Sequence, residues 1–405
     1  MKLTNLQIEK FLIYLIVIIL LFRISAMTML LSIFIAVILW LLYLYFPKTK
    51  KSYNVIIDIS VISIILLFFI NAFRSLFLGS YTPLTIKGII TNYGGYLLVI
   101  IAYPVAELVN SDKSGFLRGI NRIGMSFLVL KTLSWVIYNF FNRDIGFTLL
   151  GGKITWTRVI GNHIFSRSGG TFLDGFLLAY AIGELFSSEK SKNQNIKYIV
   201  QLLVLITYSY LIYQSRAQLI FYFATILINI FCWAFSKKYK FLSSVIACVF
   251  ILGTAYIFKD KLTGFINSFS INSQYSGSTL TRIKEYEFFP MLWKSTSNLW
   301  GFGFTPDTMG IYNGYTMYRS DIGLPMQLYQ FGIIGLVICI LPIVVGIYKG
   351  LKLIKKEYTF FSSFFLSLSL YLLISNSSFN IYVYILIPLL PIYMGLILAN
   401  ERSLE

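Results

Sequence analysis

Apolar runs of about 17 to 25 residues recur along the chain, and each is long enough to cross a hydrocarbon core about 30 Å thick as a helix. Nothing else in the sequence constrains the fold as strongly. Hydrophobic residues make up 57% of the chain and charged residues 12%, about half the charged share of an ordinary soluble domain. The pattern predicts an all-α polytopic integral membrane protein, one membrane domain over residues 1–405, with about twelve transmembrane helices. The expected spans are 10–23, 27–46, 55–73, 86–107, 117–140, 168–186, 197–213, 216–235, 241–258, 322–348, 360–375 and 379–398. A large extracytoplasmic loop separates the ninth from the tenth. The first boundary is the least marked, because Arg23 to Ser25 is the one interruption between Phe11 and Phe46. A single long tilted helix there would give about eleven spans.

The formal net charge of +18 does not point to nucleic acid, because its distribution follows topology. With the N-terminus inside, the short cytoplasmic segments hold Lys2 and Lys10, then Lys48, Lys50 and Lys51, then Lys113, Arg118 and Arg122. They continue with Lys190, Lys192 and Lys197, with Lys237, Lys238 and Lys240, with Lys349, Lys352, Lys355 and Lys356, and with Arg402. Lys and Arg in short loops set orientation, so both termini are expected in the cytoplasm. The N-terminus resembles a signal sequence but runs on without a small-residue cleavage site, and reads as uncleaved. Cys232, Cys248 and Cys339 fall in spans and read as small apolar residues. A single histidine, His163, argues against a histidine-based metal centre, and no Asp-x-Asp pair offers a divalent-ion site.

Two outer loops remain, 141–167 and 259–320, with arginines that topology does not explain, since long loops escape the positive-inside rule. The first carries Arg143, Arg158, His163 and Arg167; the second carries Arg282, Lys284, Lys294 and Arg319. Arginine's planar fork suits phosphate held at headgroup depth. The plainer alternative has these side chains snorkelling to lipid phosphates or pairing with Asp144, Glu285, Glu287 and Asp307. Arg216 opens a helix at a tight outer junction, Tyr213 to Gln218, where the helix dipole also favours an anion. In the large loop, Ser268 to Thr281 reads as irregular. Leu280 to Trp300 reads as a surface helix with Ile283, Tyr286, Phe289 and Trp293 on one side and a kink at Pro290.

Four stretches, in order, resemble the bacterial O-antigen and capsule polymerases (Wzy type) of the O-antigen ligase superfamily. They are Arg158-x10-Gly169 running into Arg167-Ser-Gly-Gly-Thr-Phe-Leu-Asp174; Ser215-Arg216; Arg282 with Trp293 and Gly301-Phe-Gly303-Phe; and Asp321-x10-Gly332-x2-Gly335. The resemblance covers Arg158 to Gly335 and reaches the first half only through hydropathy. Ligases of the superfamily have a histidine at the position matching Asp321, and this chain has none nearby, which favours the polymerase.

The resemblance implies a metal-independent glycosyltransferase without cofactor in a bacterial cytoplasmic membrane, joining polyprenyl-diphosphate-linked oligosaccharide units at the outer face. Arg216 and Arg282 would steady the leaving diphosphate, and Asp321 would accept the acceptor hydroxyl's proton. Arg158, Arg167, Arg319, His163, Asp174, Trp293 and Tyr318 would bind substrate. Asp321 also reads as a helix cap, and Asp174 as a buried acid paired with Arg167 or Arg216. Tyr275, Trp300, Tyr312 and Tyr315 join Trp293 and Tyr318 as stacking or interfacial aromatics. Implied partners are the lipid-linked oligosaccharide, membrane lipids, a chain-length regulator and a flippase, with no nucleic acid. A ligase and a lipid-linked oligosaccharide flippase are the competing readings.

Overall fold

The computed structural model describes residues 5–22, 24–45, 54–78, 84–160, 163–186, 192–236, 245, 248, 256, 259–273, 276–383 and 386–399. The expected span 241–258 and the candidate stacking residue Tyr275 lie essentially outside them. Thirteen α-helices and two β-hairpins are described. The helices are α1 (Asn5–Leu21), α2 (Ala26–Tyr45), α3 (Val55–Phe73), α4 (Ile86–Tyr93), α5 (Ala102–Phe141), α6 (Asp174–Phe186), α7 (Lys192–Thr207), α8 (Arg216–Ser236), α9 (Lys259–Asn267), α10 (Ser276–Lys294), α11 (Pro325–Lys356), α12 (Phe360–Ser375) and α13 (Leu389–Leu398). Six helical segments among the described residues are long and apolar enough to cross a membrane: 26–45, 55–78, 86–141, 195–212, 216–236 and 325–356. Their outward faces leave Phe34, Phe69, Leu203 and Val337 more than half open, an apolar surface suited to lipid and not to water.

Several expected spans take a different form. Residues 86–107 pass from α4 through a 3-10 stretch, Gly94–Ile101, into α5. The expected turn between 107 and 117 is a kink at Asp112 (φ −146°, ψ 64°), where the carboxylate accepts from Lys10 at 2.7 Å and from the Gly115 N–H. In place of span 168–186 there is a 13-residue helix, α6, preceded by a non-helical Gly169–Thr171 segment and a turn at Phe172 and Leu173. Span 379–398 is helical only in α13. Such non-helical backbone at membrane depth is stable only where protein covers it or it faces an aqueous cavity, and Tyr382 and Asn380 here are fully buried.

Small residues set the central packing. A side chain at Gly175 of α6 would overlap the Tyr371 ring, and one at Gly183 would strike the Phe360 carbonyl, so glycine lets α12 lie directly on α6. Buried Ser362, Ser363, Ser367 and Ser369 keep the α12 side of that contact slim.

The two long loops contain strands the periodicity reading did not anticipate. In the first, β1 (Gly152–Ile160) pairs antiparallel with β2 (His163–Ser168), Arg158 opposite Phe165. In the second, β3 (Thr308–Tyr312) and β4 (Tyr315–Tyr318) close through Asn313 and Gly314, both at positive φ (49° and 81°), as a two-residue hairpin turn requires. Helix α10 runs on through Pro290 to Lys294. Its apolar residues do not share one membrane-facing side. Phe289 and Leu292 turn inward with Phe302, Met309, Met317, Ile322 and Met326 into a separate small core, while Ile283 and Tyr286 stay exposed. The large loop is thus a folded cap with its own interior.

Candidate functional site

Gly301 and Gly303 anchor that cap to the membrane helices. Phe302 N–H donates to the Tyr329 carbonyl (3.1 Å) and Gly303 N–H to the Gln330 carbonyl (2.7 Å). The backbones approach so closely that a Cβ at Gly301 would lie 2.4 Å from the Tyr329 oxygen. Opposite, Gly332 (φ 68°) breaks the regular helix of α11, and a Cβ there would sit 2.1 Å from the Leu299 oxygen. Glycine is needed on both sides of this contact. Two glycine motifs from separate stretches of sequence are therefore two halves of one joint. Arg74 clamps it from α3's end, its guanidinium donating to the carbonyls of Trp300 and Gly301 at 3.0 Å each.

Below the joint lies a cavity of about 580 Å³. Its polar wall combines Lys131, Lys153, Trp156, Asp174, Tyr213, Gln218, Asp307, Asp321 and Asn380. Its apolar wall combines Leu20, Leu21, Phe22 and Ile24 with Ile381, Val383, Leu386 and Leu389. The lining is amphipathic, combining charged groups with aliphatic ones from the apolar helices.

Asp321 contributes to this wall from a 3-10 turn, Arg319–Asp321. It does not cap the following helix, because α11 begins at Pro325 with Leu324 at the cap position and no side-chain cap. Burial pushes its carboxyl up, Arg282 pulls it down, and Asp307 pushes it up again. Asp174, also on the wall, starts α6 and accepts hydrogen bonds from the Thr171 N–H (3.1 Å) and hydroxyl. Its charged neighbour is Lys131 and not the expected arginine. The Lys131 ammonium donates to the Gly169 carbonyl.

Arg158, Arg167, Arg216 and Arg282 are not among the residues that line the cavity. Arg167 donates from Nε and Nη2 to the Tyr213 carbonyl and packs 5.5 Å from the Trp156 ring centre. Burial pulls its guanidinium down to about 10, and Arg158 and Arg216 act in the same direction while Asp321 opposes them. Arg216 donates to the Ser268 carbonyl and to Ser278 Oγ (3.0 Å) and lies 4.5 Å from the Phe269 ring centre. Arg282 stacks 5.6 Å from the ring of Phe379, which itself lines the cavity. Arg167 on β2 and Arg282 on α10 thus adjoin lining residues, whereas Arg216 on α8 is held by Ser268, Ser278 and Phe269 of the large loop.

Besides those four arginines, a further four expected residues fall outside the lining. Arg319 is fully buried against the Tyr93 ring at 4.4 Å. His163 lies exposed at the hairpin end, Trp293 packs on Tyr329, and the Tyr318 N–H bonds Glu285 at 2.8 Å. Among the described residues the cations on the wall itself are lysines, and Lys153, 3.4 Å from the Trp156 ring centre, was not anticipated. The signal for it was local: strand-forming residues alternate from Lys153 to Ile160, and the Gly-Asn dipeptide that follows is a hairpin signal in sequence. No protein-family model matches the chain, and no curated protein matches it.

Proposed function

We propose that this membrane protein polymerises polyprenyl-diphosphate-linked oligosaccharide units at the outer face of a bacterial cytoplasmic membrane, with both termini in the cytoplasm. One observation carries the reading: a single cavity among the described residues is lined by both charged and aliphatic side chains, with Arg167 and Arg282 packed against aromatic residues of its lining. A lipid tail, a diphosphate and a polar glycan need those three environments side by side.

In this reading the acceptor hydroxyl attacks the anomeric carbon of the growing chain, the bond to the diphosphate breaks, and the polyprenyl diphosphate departs with the electron pair. Asp321 takes the hydroxyl proton. Positive charge from Arg216, Arg282 and Lys153 favours the diphosphate as it leaves. The leaving group is already good, so alignment supplies much of the remaining barrier reduction. Arg158 and Arg167 support the second substrate, and Trp156 on the cavity wall offers a flat face for a sugar ring.

The test is reconstitution in vesicles with a purified lipid-linked repeat unit, products being resolved on a gel. A ladder from the unaltered protein, absent in Arg216→Ala and Arg282→Ala variants that still insert, supports polymerisation. Lipid carried across the bilayer with only single-unit product would replace it with a flippase, and transfer to a different acceptor lipid with a ligase.

A further inference from the structure

Ser320 and Asp321 reach the cavity lining from a 3-10 turn of only three residues, Arg319–Asp321, too short to hold its own shape. The first residue of that turn goes elsewhere. Arg319 is 1% exposed and absent from the lining, and its guanidinium carbon lies 4.4 Å from the centre of the Tyr93 ring. Its Nε and Nη2 are buried without a hydrogen-bond partner among the described residues. The ring beneath it is firmly held. Phe304 stacks on Tyr93 at 3.7 Å, with 16° between the planes. The Tyr93 hydroxyl donates to the Thr305 carbonyl at 2.7 Å and accepts from the Thr305 N–H at 2.9 Å and from Gln330 Nε2. Tyr93 ends α4, in the half of the chain that the motif resemblance reaches only through hydropathy. Further bonds spread from the turn into the lining. Arg319 N–H donates to the Asp307 carbonyl (2.9 Å), Asn380 N–H to the Ser320 carbonyl (3.1 Å), and the Ser320 hydroxyl to Asp321 Oδ1 (3.3 Å). Asp307, Ser320, Asp321 and Asn380 all line the cavity, so this turn ties together one stretch of its wall.

We infer that Arg319, seated on Tyr93, is the positioning residue that holds Asp321 at the cavity wall. The chemistry given to Asp321 rests on the function proposed above; the seating of the turn does not. A buried guanidinium with no carboxylate bonded to it gains nothing from ion pairing, and its burial by itself does not stabilise the fold. What it supplies is shape. Its flat, delocalised and weakly hydrated plate accepts an aromatic face in place of water, which a compact, strongly hydrated ammonium does poorly. With that plate on Tyr93 and its own N–H on Asp307, the path of the chain through Ser320 is set, and Asp321 follows two residues on. A base must stand within hydrogen-bond reach of the proton it takes, and a displacement of about 1 Å is felt in the rate. A loosened seat therefore falls on turnover and not on substrate affinity.

The seating can be read without substrate, by hydrogen–deuterium exchange of the full-length protein in detergent. In Arg319→Ala, peptides covering residues 319–324 and 380–383 should exchange about tenfold faster or more, while those of α6 and α12 stay unchanged. Tyr93→Leu should reproduce that pattern from the other side of the contact. Arg319→Lys should move the same peptides by a smaller factor, and it serves if the harsher variants fail to fold. Unchanged exchange at these peptides overturns the seating. With a purified lipid-linked repeat unit, Arg319→Lys should lower turnover by about tenfold to a hundredfold at a nearly unchanged KM. Added to Asp321→Asn it should cost no further activity, because it acts through that carboxylate. A raised KM at unchanged turnover, or losses that multiply in the double variant, overturns the positioning of Asp321. Faster exchange in a protein that makes no polymer would keep the seated turn and discard the polymerase, so the two claims fail separately.

Discussion

Arg167 grips the carbonyl oxygen of Tyr213 with two donors, Nε at 3.1 Å and Nη2 at 3.0 Å. Nη2 also reaches the Gln214 carbonyl at 3.3 Å, and Gln214 itself adopts a left-handed conformation (φ 52°). The fork therefore binds the β1–β2 hairpin to the turn that launches α8 and aims Arg216. Arg167, expected to touch substrate, is instead engaged with backbone carbonyls at the start of α8.

Arg167→Ala should then destabilise the fold as well as abolish activity. Charged hydrogen bonds of this kind contribute about 2 kcal/mol each, so thermal unfolding in detergent should shift down by several degrees. Arg167→Lys keeps the charge but loses the fork and should recover only part of the loss. An unchanged melting temperature in the alanine variant would return Arg167 to the role of a simple ligand contact.

Gly332→Ala should be among the most damaging single substitutions in the chain. Its φ of 68° disfavours any L side chain, and the new methyl would meet the backbone of Leu299, which has no rotamer to yield. A cost above about 3 kcal/mol is expected, seen as poor recovery of monodisperse protein. Gly264→Ala, where a Cβ meets nothing within 4 Å, should be silent by the same measure.

The pH dependence of stability carries the signature of Glu285. Burial, with Asp321 adding to it, raises this carboxyl from an ordinary 4.5 to about 8 in the folded state. The folded protein therefore binds this proton more tightly than the unfolded chain does. The stabilisation is fully present below about pH 4.5 and is lost as pH rises through about 8. Melting temperature should decline between those values, and Glu285→Gln should flatten the decline. A slope unaltered by Glu285→Gln would assign it to other groups.

Asp321→Asn should separate chemistry from folding. The side chain borders the cavity and caps no helix, so the variant should melt close to the unaltered protein. General-base loss should lower the polymerisation rate by about a hundredfold to ten-thousandfold. Full activity in the asparagine variant would leave the proton's destination elsewhere.

The apolar runs alone announced a membrane protein, because a helix long and greasy enough to span lipid declares itself without reference to any neighbour. Glycines and arginines were also legible as special. Their roles were not. Gly301 and Gly332 drew notice as separate motifs, and only folding revealed that their backbones touch. The Asn313-Gly314 hairpin was written in the sequence as a local turn pair and was overlooked beside the stronger helical periodicity.

Membership of the chamber was out of reach for a different reason. Arg158 and Arg167 read alike in sequence as outer-loop cations and Lys153 drew no notice, yet Lys153 lines the cavity and Arg167 is spent on the Tyr213 carbonyl. Nothing in local composition distinguishes a charge facing a cavity from one spent on a backbone carbonyl. Asp174 and Lys131, 43 positions apart, become partners only when α5 and α6 pack. The sequence by itself determined which segments prefer lipid, since that preference is a sum over residues. Tertiary structure decided which polar groups share one space, since that depends on distances between segments that no single segment contains.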